Sequence, residues 1–254
     1  MRPTADQDEN LNVLVAVGLQ SLGSISETDQ TMETLLVIYI SYLNYRTAWN
    51  SSEYNLTDTY FQIKDVYIPD IAVLNSGASG TNSLTRSEDT KEYTMYLHHC
   101  GYSELALLEH LISSCAIDIT YYPFDSQRCD IDLVSFPFPD VTLFIPYPNM
   151  KGDFPALDMS TYSEDGSWDI VDQRAYSVFN TSVTQKLQFS LILQRKTTYY
   201  VLSMLLPLLF LSLTTTVVFA LPTDSGEKMG TCMTVLLAYS FYLSIVTGEK
   251  KYPV

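Results

Sequence analysis

Cys115 and Cys129 bracket thirteen residues that alternate apolar and polar side chains on both sides of Tyr122, Pro123, Phe124 and Asp125. The chemistry open to two such thiols is oxidation to a disulfide that staples two strands. Closing a ring of that size contributes roughly 3 kcal/mol in the chain-entropy model. On spacing alone the pair reads as an ordinary disulfide of a secreted β-domain. A second group, His98, His99 and Cys100 with Glu104 nearby, carries metal-ligating residue types. Neighbours on a strand point to opposite faces, however, and cannot all chelate one ion. A hairpin turn with Cys100 and Gly101 at its tip is expected instead, leaving Cys100 as a buried thiol or an intersubunit link. There is no Ser, His and acid grouping, phosphate loop or zinc spacing. Enzyme chemistry therefore has no support, and no cofactor or metal is expected.

The elements that must position these residues are legible in the rest of the chain. It has 254 residues, 46% of them hydrophobic, room for one large or two modest domains with a real core. Fourteen Lys and Arg against twenty-nine Asp and Glu give a formal charge of −15. Nucleic acid is excluded as a partner, because phosphate binding needs a basic surface. An acidic surface suits cations or plain solubility. Three glycosylation sequons, at Asn50, Asn55 and Asn180, all precede residue 195, which marks the first part as extracellular. No signal-peptide pattern precedes Asp6, so the numbering is expected to be that of a processed chain.

From Leu11 to Gln20 and from Thr34 to Arg46 the residues are β-branched, aromatic and roughly alternating, with a polar Glu27–Gln30 turn between them. Further strands are expected at Tyr60–Tyr67, Tyr93–His99, Tyr102–Leu111, Ala116–Tyr121, Asp130–Phe136, Val141–Ile145, Asp169–Val178 and Lys186–Gln194. In the last, Leu187, Phe189, Leu191 and Leu193 share one face. So many short strands predict a mainly β fold, an antiparallel sandwich. Asn75–Lys91 and Asn149–Gly166 read as long loops.

At Arg195 and Lys196 the character changes, because Tyr199 to Leu221 carries no charge at all. A helix of that length spans about 34 Å, enough for a hydrocarbon core near 30 Å. Pro207 inside it is tolerated by packed membrane helices. A second uncharged run extends from Met229 to Val246. In it, Gly230, Thr234, Leu237, Phe241, Ser244 and Gly248 recur every three or four residues, forming one face that is small or hydroxylated at its ends and bulky in the middle. Val235, Leu236, Leu243 and Val246 are expected opposite. A polar stripe in a membrane helix faces other helices or water.

The bracketed loop, the sandwich and this helix together resemble the Cys-loop family of pentameric ligand-gated ion channels, nicotinic acetylcholine receptor branch. The likeness is carried by Trp49-Asn50, Pro69-Asp70, the Tyr-Pro-Phe-Asp of residues 122–125, Trp168, Arg195, Pro207, Leu221-Pro222, Gly226-Glu227-Lys228-Met229 and Val235-Leu236-Leu237. It implies an extracellular ligand-binding β-sandwich over residues 1–195. A transmembrane pore domain follows over 196–254, with two helices at about 199–221 and 229–247 and two more expected beyond Val254. The implied assembly is a plasma-membrane, multi-pass homopentamer, four further subunits around an axis lined by the second helix. Its implied partners are membrane lipid, permeant cations and a small-molecule ligand held between ectodomains.

By the same resemblance, Glu227 contributes to a carboxylate ring at the cytoplasmic mouth, and five carboxylates there concentrate cations. Gly230, Thr234, Leu237, Phe241, Ser244 and Gly248 line the pore, with Leu237 and Phe241 closing it by dewetting. Tyr122, Pro123, Phe124, Asp125 and Arg195 couple ectodomain to membrane. The ligand cleft departs from the family pattern: the aromatic positions fall on Tyr42, Leu74, Phe136, Tyr176 and Phe179, and the hairpin after Trp168 is short, with no vicinal cysteine pair. Replacing tryptophans weakens ammonium binding by about 0.5–2 kcal/mol each, so no potent response to acetylcholine is expected. The rival readings are a non-conducting, membrane-anchored β-sandwich adhesion module, and a structural subunit that borrows its agonist site from a partner.

Overall fold

The computed structural model describes residues 3–4, 10–77, 83–85, 93–135, 141–146, 157–179, 185–220 and 227–249. Alternation builds the sheets. β1 (Leu11–Ser26) leads through the turn at 27–30 into β2 (Thr31–Leu43). In β2 every even position from Met32 to Tyr42 is buried and every odd one at least partly exposed, as expected of a strand with one face on a core. One sheet continues with β3 (Asp58–Gln62), β5 (Thr94–His98) and β6 (Tyr102–Ser114), in the order β3-β5-β6-β2-β1-β8. β8 (Val141–Phe144) and the short β9 (Leu157–Asp158) both run parallel to β1.

The second sheet has the order β10-β11-β7-β4: β10 (Trp168–Phe179), β11 (Gln185–Arg195), β7 (Ser126–Ser135) and β4 (Ile71–Val73). The two sheets pack face to face as a β-sandwich. Leu187, Phe189, Leu191 and Leu193 of β11 are all at most 1% exposed and join Leu36, Ile38 and Leu105 of the other sheet in one core. The strand face read from the sequence is the core face.

Cys115 and Cys129 form a disulfide. Cys115 directly follows β6 in one sheet and Cys129 lies in β7 of the other, so the bond ties the two layers at one end of the sandwich. The strand expected at Ala116–Tyr121 is absent. Residues 115–118 do alternate buried and exposed, but after Cys115, whose N–H donates to the Gln30 carbonyl at 2.8 Å, the backbone meets side chains instead of a neighbouring strand. The N–H groups of Ile117 and Asp118 donate to the amide oxygens of Gln30 and Gln127, and Gln127 Nε2 donates to the Asp118 carbonyl at 2.7 Å. Local pattern alone cannot reveal that two glutamines replace a ladder.

β11 runs directly into helix. α2 (Thr197–Tyr200), a π-helical turn (Val201–Leu205) and α3 (Leu206–Ala220) are continuous, and a turn farther back in the chain forms α1 (Ser51–Tyr54). Thr197–Val218, with a mean hydropathy of 2.1, is long and apolar enough to cross a membrane. α4 (Glu227–Glu249) is a 23-residue helix. Its Thr, Ser and Tyr content leaves it less apolar, and among the described residues only the first helix meets that test. Pro207 has no N–H for the carbonyl one turn back, at Ser203. Tyr242 of α4 reaches this stretch: its hydroxyl donates to the carbonyl of Met204 at 2.5 Å and lies 3.4 Å from that of Ser203, so α4 packs where the first helix has backbone acceptors to spare.

Candidate functional site

Arg195 closes β11 opposite Trp168, the first residue of β10. Its backbone N–H donates to the Asp125 carbonyl at 3.2 Å, which brings the disulfide loop alongside before any side chain meets. The guanidinium then grips the Asp125 carboxylate with Nε at 2.7 Å and Nη2 at 3.0 Å. Nη2 also reaches Glu27 Oε1 at 2.7 Å, and Nη1 donates to the Tyr200 hydroxyl at 3.3 Å. Three rings surround the cation, with centroids 4.3 Å (Trp168), 4.7 Å (Tyr122) and 5.2 Å (Tyr200) from Cζ, all within cation–π range. Five elements therefore meet on one side chain: the β1–β2 turn, the disulfide loop, β10, β11 and α2.

The centre of the cluster is buried, the Arg195 and Asp125 side chains being 4% and 2% exposed, with Glu27 17% exposed at its edge. Burial opposes the Asp125 charge, but hydrogen bonds from Arg195 and Gln127 outweigh it and hold the carboxyl below the usual carboxylate range. Burial likewise opposes the charge of Arg195, and its bonds to Asp125 and Tyr200 more than restore it. Burial, with Tyr200 alongside, pushes the Tyr122 phenol up to about 12. None of these groups changes charge near neutral pH, so the cluster is no acid–base site. Its bidentate, charge-assisted geometry suits it to hold elements together. The Tyr122 hydroxyl donates to Met204 Sδ at 3.5 Å across the sandwich–helix boundary, Pro123 follows through a cis bond, and Phe124 is exposed.

The residues expected to line a ligand cleft do not all come together. Tyr42 is a correction: it lies in the core, 3% exposed, with its hydroxyl donated to the Tyr67 carbonyl. It has the same strand parity as the core residues Ile38 and Ile40, so it points inward. The outward positions of β2 are Leu35, Val37, Tyr39 and Ser41, beside exposed Leu108 of β6. Tyr176 and Leu74 do share a row across the second sheet: Tyr176 pairs with Gln188, Gln188 with Asp132, and the Leu74 N–H donates to the Asp132 carbonyl. Leu74 is exposed and Tyr176 half-buried. Phe136 lies outside the described residues, as does the side chain of Phe179, which ends β10.

What sequence reasoning missed is the polar floor of that row. Lys186 Nζ pairs with Asp132 Oδ2 at 2.8 Å. Asp130 accepts from Gln188 Nε2 and Ser190 Oγ, each at 2.5 Å, and from Arg128 Nε at 3.3 Å. Asp132 Oδ1 is buried with no hydrogen-bond partner among the described residues. Alternation places these residues on the outer face of β7 and β11, which was the available signal.

Residues 1–197 match the neurotransmitter-gated ion-channel ligand binding domain. The chain belongs to that family. Over 97% of its length it is 28% identical to the human neuronal acetylcholine receptor subunit beta-4, covering 48% of that protein. It is 27% identical to the rat neuronal subunit alpha-6 and to the chicken acetylcholine receptor subunit delta, covering 49% and 50% of each. The chain thus spans about half the length of the curated relatives it matches. It is a nicotinic-like member of the Cys-loop family, a family of ion channels and not of enzymes.

The packing of α4 on the first helix decides which of its faces is exposed. Lys228, Thr231, Val235, Tyr239 and Tyr242 form the partly buried stripe of the helix, and Tyr242 fastens it to the first helix. Gly230, Thr234, Leu237, Phe241 and Ser244 lie on the exposed remainder, with Leu237 and Phe241 about 70% exposed. Of the residues expected opposite, Val235 is partly buried and Leu236 and Leu243 are exposed. Gly248 falls within α4, and Glu227 is its first residue, with a side chain outside the described set. Asn50 and Asn55 are exposed at the two ends of α1, while Asn180 lies outside the described residues.

Proposed function

We propose that the chain forms the ectodomain, residues 1–195, and the leading pore helices, residues 196–254, of a ligand-gated cation channel subunit. Five such subunits surround the pore in the plasma membrane, with the sandwich outside and glycans on Asn50, Asn55 and Asn180. The observation that carries this reading is the Arg195 cluster. A tethered adhesion module needs only a linker before its membrane helix. Here one buried guanidinium bonds the β1–β2 turn, the disulfide loop and the first turn of a helix apolar enough to span a bilayer. Displacement of the second sheet by a ligand then moves the helix with it.

Cation selectivity follows in this reading from Glu227 opening α4, because a ring of five carboxylates favours cations electrostatically. Leu237 and Phe241 supply the hydrophobic constriction, and Leu35, Val37, Tyr39 and Leu108 replace Tyr42 as the outward face that meets the next subunit. The test is voltage clamp of oocytes expressing the full-length gene product with Leu237→Ser. A polar residue eases wetting of the gate, so a cation leak without agonist is expected. Surface pentamers without leak would sink the gate assignment, and an anion leak would sink the selectivity.

A second reading, a subunit that needs a partner with a fuller aromatic site, is favoured by two observations. Tyr42 is committed to the core, and the row holding Tyr176 and Leu74 has a charged floor. Acetylcholine should then evoke no micromolar current from the homomer.

A further inference from the structure

The hairpin joining β5 to β6 carries a cluster for which the channel reading has no use. The turn forms as the sequence predicts: Gly101 N–H donates to the His98 carbonyl at 2.8 Å, and Gly101 has a positive φ of 88°. A Cβ at Gly101 would also lie 2.5 Å from the Asn44 carbonyl oxygen, so only glycine fits. This turn leaves Cys100 exposed, with its thiol free, which excludes the buried-thiol reading. It also sets Cys100 Sγ 3.0 Å from His98 Nδ1, while His98 Nε2 lies 3.7 Å from Asp58 Oδ1 on the edge strand β3. Thiol and carboxylate lie at opposite nitrogens of one ring, the thiol within hydrogen-bond distance and the carboxylate just beyond it, an arrangement that orients the ring toward the thiol and cannot chelate one ion.

The backbone assigns the ring's roles. Cys100 N–H donates to His98 Nδ1 at 3.4 Å, so Nδ1 is the acceptor and the ring proton sits on Nε2, toward Asp58. Asp58 is itself fixed by the Tyr96 hydroxyl at 2.7 Å and by Thr57 Oγ1 at 3.0 Å, and these bonds hold its carboxyl below the ordinary range. His99 in the turn, Tyr60 on β3, Tyr96 on β5, and Tyr102 and Glu104 on β6 are the other titratable groups of this corner among the described residues. Elsewhere the domain carries a disulfide, so its surroundings oxidise thiols.

We infer that Cys100 is a modification site, a thiol activated by His98 and Asp58 for exchange with a small-molecule disulfide. His98 Nδ1 takes the thiol proton as Cys100 Sγ attacks one sulfur of R–S–S–R. The new bond joins Cys100 to that sulfur, the old S–S bond breaks, and the departing RS⁻ takes the proton back from His98. No further oxidant is needed, since one disulfide replaces another.

The test is the reaction rate of the full chain in detergent with neutral 4,4′-dithiodipyridine, a Cys100→Ser chain providing the background from Cys232. At about pH 7, His98→Gln should react at least about tenfold more slowly and Asp58→Asn about threefold. At about pH 10, above the ordinary range of free thiols, both should return to within about twofold of the parent. Incubation with cystine should yield a mixed disulfide at Cys100 on peptide mass spectrometry. Equal rates at neutral pH, a loss that persists at high pH, or a Cys100–Cys100 dimer in place of the adduct would each overturn the inference.

Discussion

The Arg195 cluster and the row from Leu74 to Tyr176 both place charge on the second sheet, yet they are built in opposite ways. At the cluster, every nitrogen of the cation has an answer, two carboxylates and a hydroxyl, three ring faces surround it, and the central Arg195 and Asp125 side chains are 4% and 2% exposed. In the row, Lys186 and Asp132 are 23% and 13% exposed, and one oxygen of Asp132 has no partner among the described residues. A fully satisfied network is rigid, and removing one member leaves a buried charge behind. A partly satisfied one can trade its protein bonds for bonds to an arriving ligand at small cost. On the proposed channel reading, the first would transmit a displacement and the second would start one.

Breaking the cluster should have the largest effect. Arg195→Met leaves Asp125 buried without its cation and should cost about 3–5 kcal/mol of stability, read from the urea midpoint in detergent. The same pair sets an acid limit. Because the folded Asp125 carboxyl titrates below its unfolded value, its contribution is complete at neutral pH and is lost as pH falls through and below the ordinary carboxylate range. Asp125→Asn should remove that part of the acid dependence.

Opening the disulfide with Cys115→Ser and Cys129→Ser should cost about 3 kcal/mol, and less at the cluster than in the tie between the sheets. Glu27→Gln keeps an acceptor oxygen for Arg195 but loses the charge, so about 1–2 kcal/mol is expected. Lys186→Met should cost about 1 kcal/mol or less, as for other partly exposed pairs. A Lys186 effect as large as that of Arg195 would erase the contrast between the two regions.

Much of this was legible in the sequence where burial has a period. The alternation of β2 and the Leu187 to Leu193 face of β11 carry straight into the core, because one buried face imposes a two-residue repeat. The same parity marks Tyr42 as inward, a signal that placing it by family resemblance leaves unused. What stayed hidden depends on contacts distant in the chain. Ala116–Tyr121 has strand-like alternation, but Gln30 and Gln127 satisfy its backbone. The Trp168 and Tyr200 rings close on Arg195 only because β10, β11 and α2 converge there. The grouping at Cys100 needed Asp58, forty-two residues earlier, brought alongside by the β3–β5 pairing.

The central claim, that Arg195 joins the turn, the loop and the first helix as one unit, is tested most directly by amide hydrogen exchange. Asp125→Asn would be compared with a core variant of equal global destabilisation, such as Phe189→Leu. Exchange at residues 27–30 and 197–205 should rise together in Asp125→Asn and stay at the parent's level in the matched core variant. Faster exchange at only one of the two segments, or an equal rise in both variants, would contradict it.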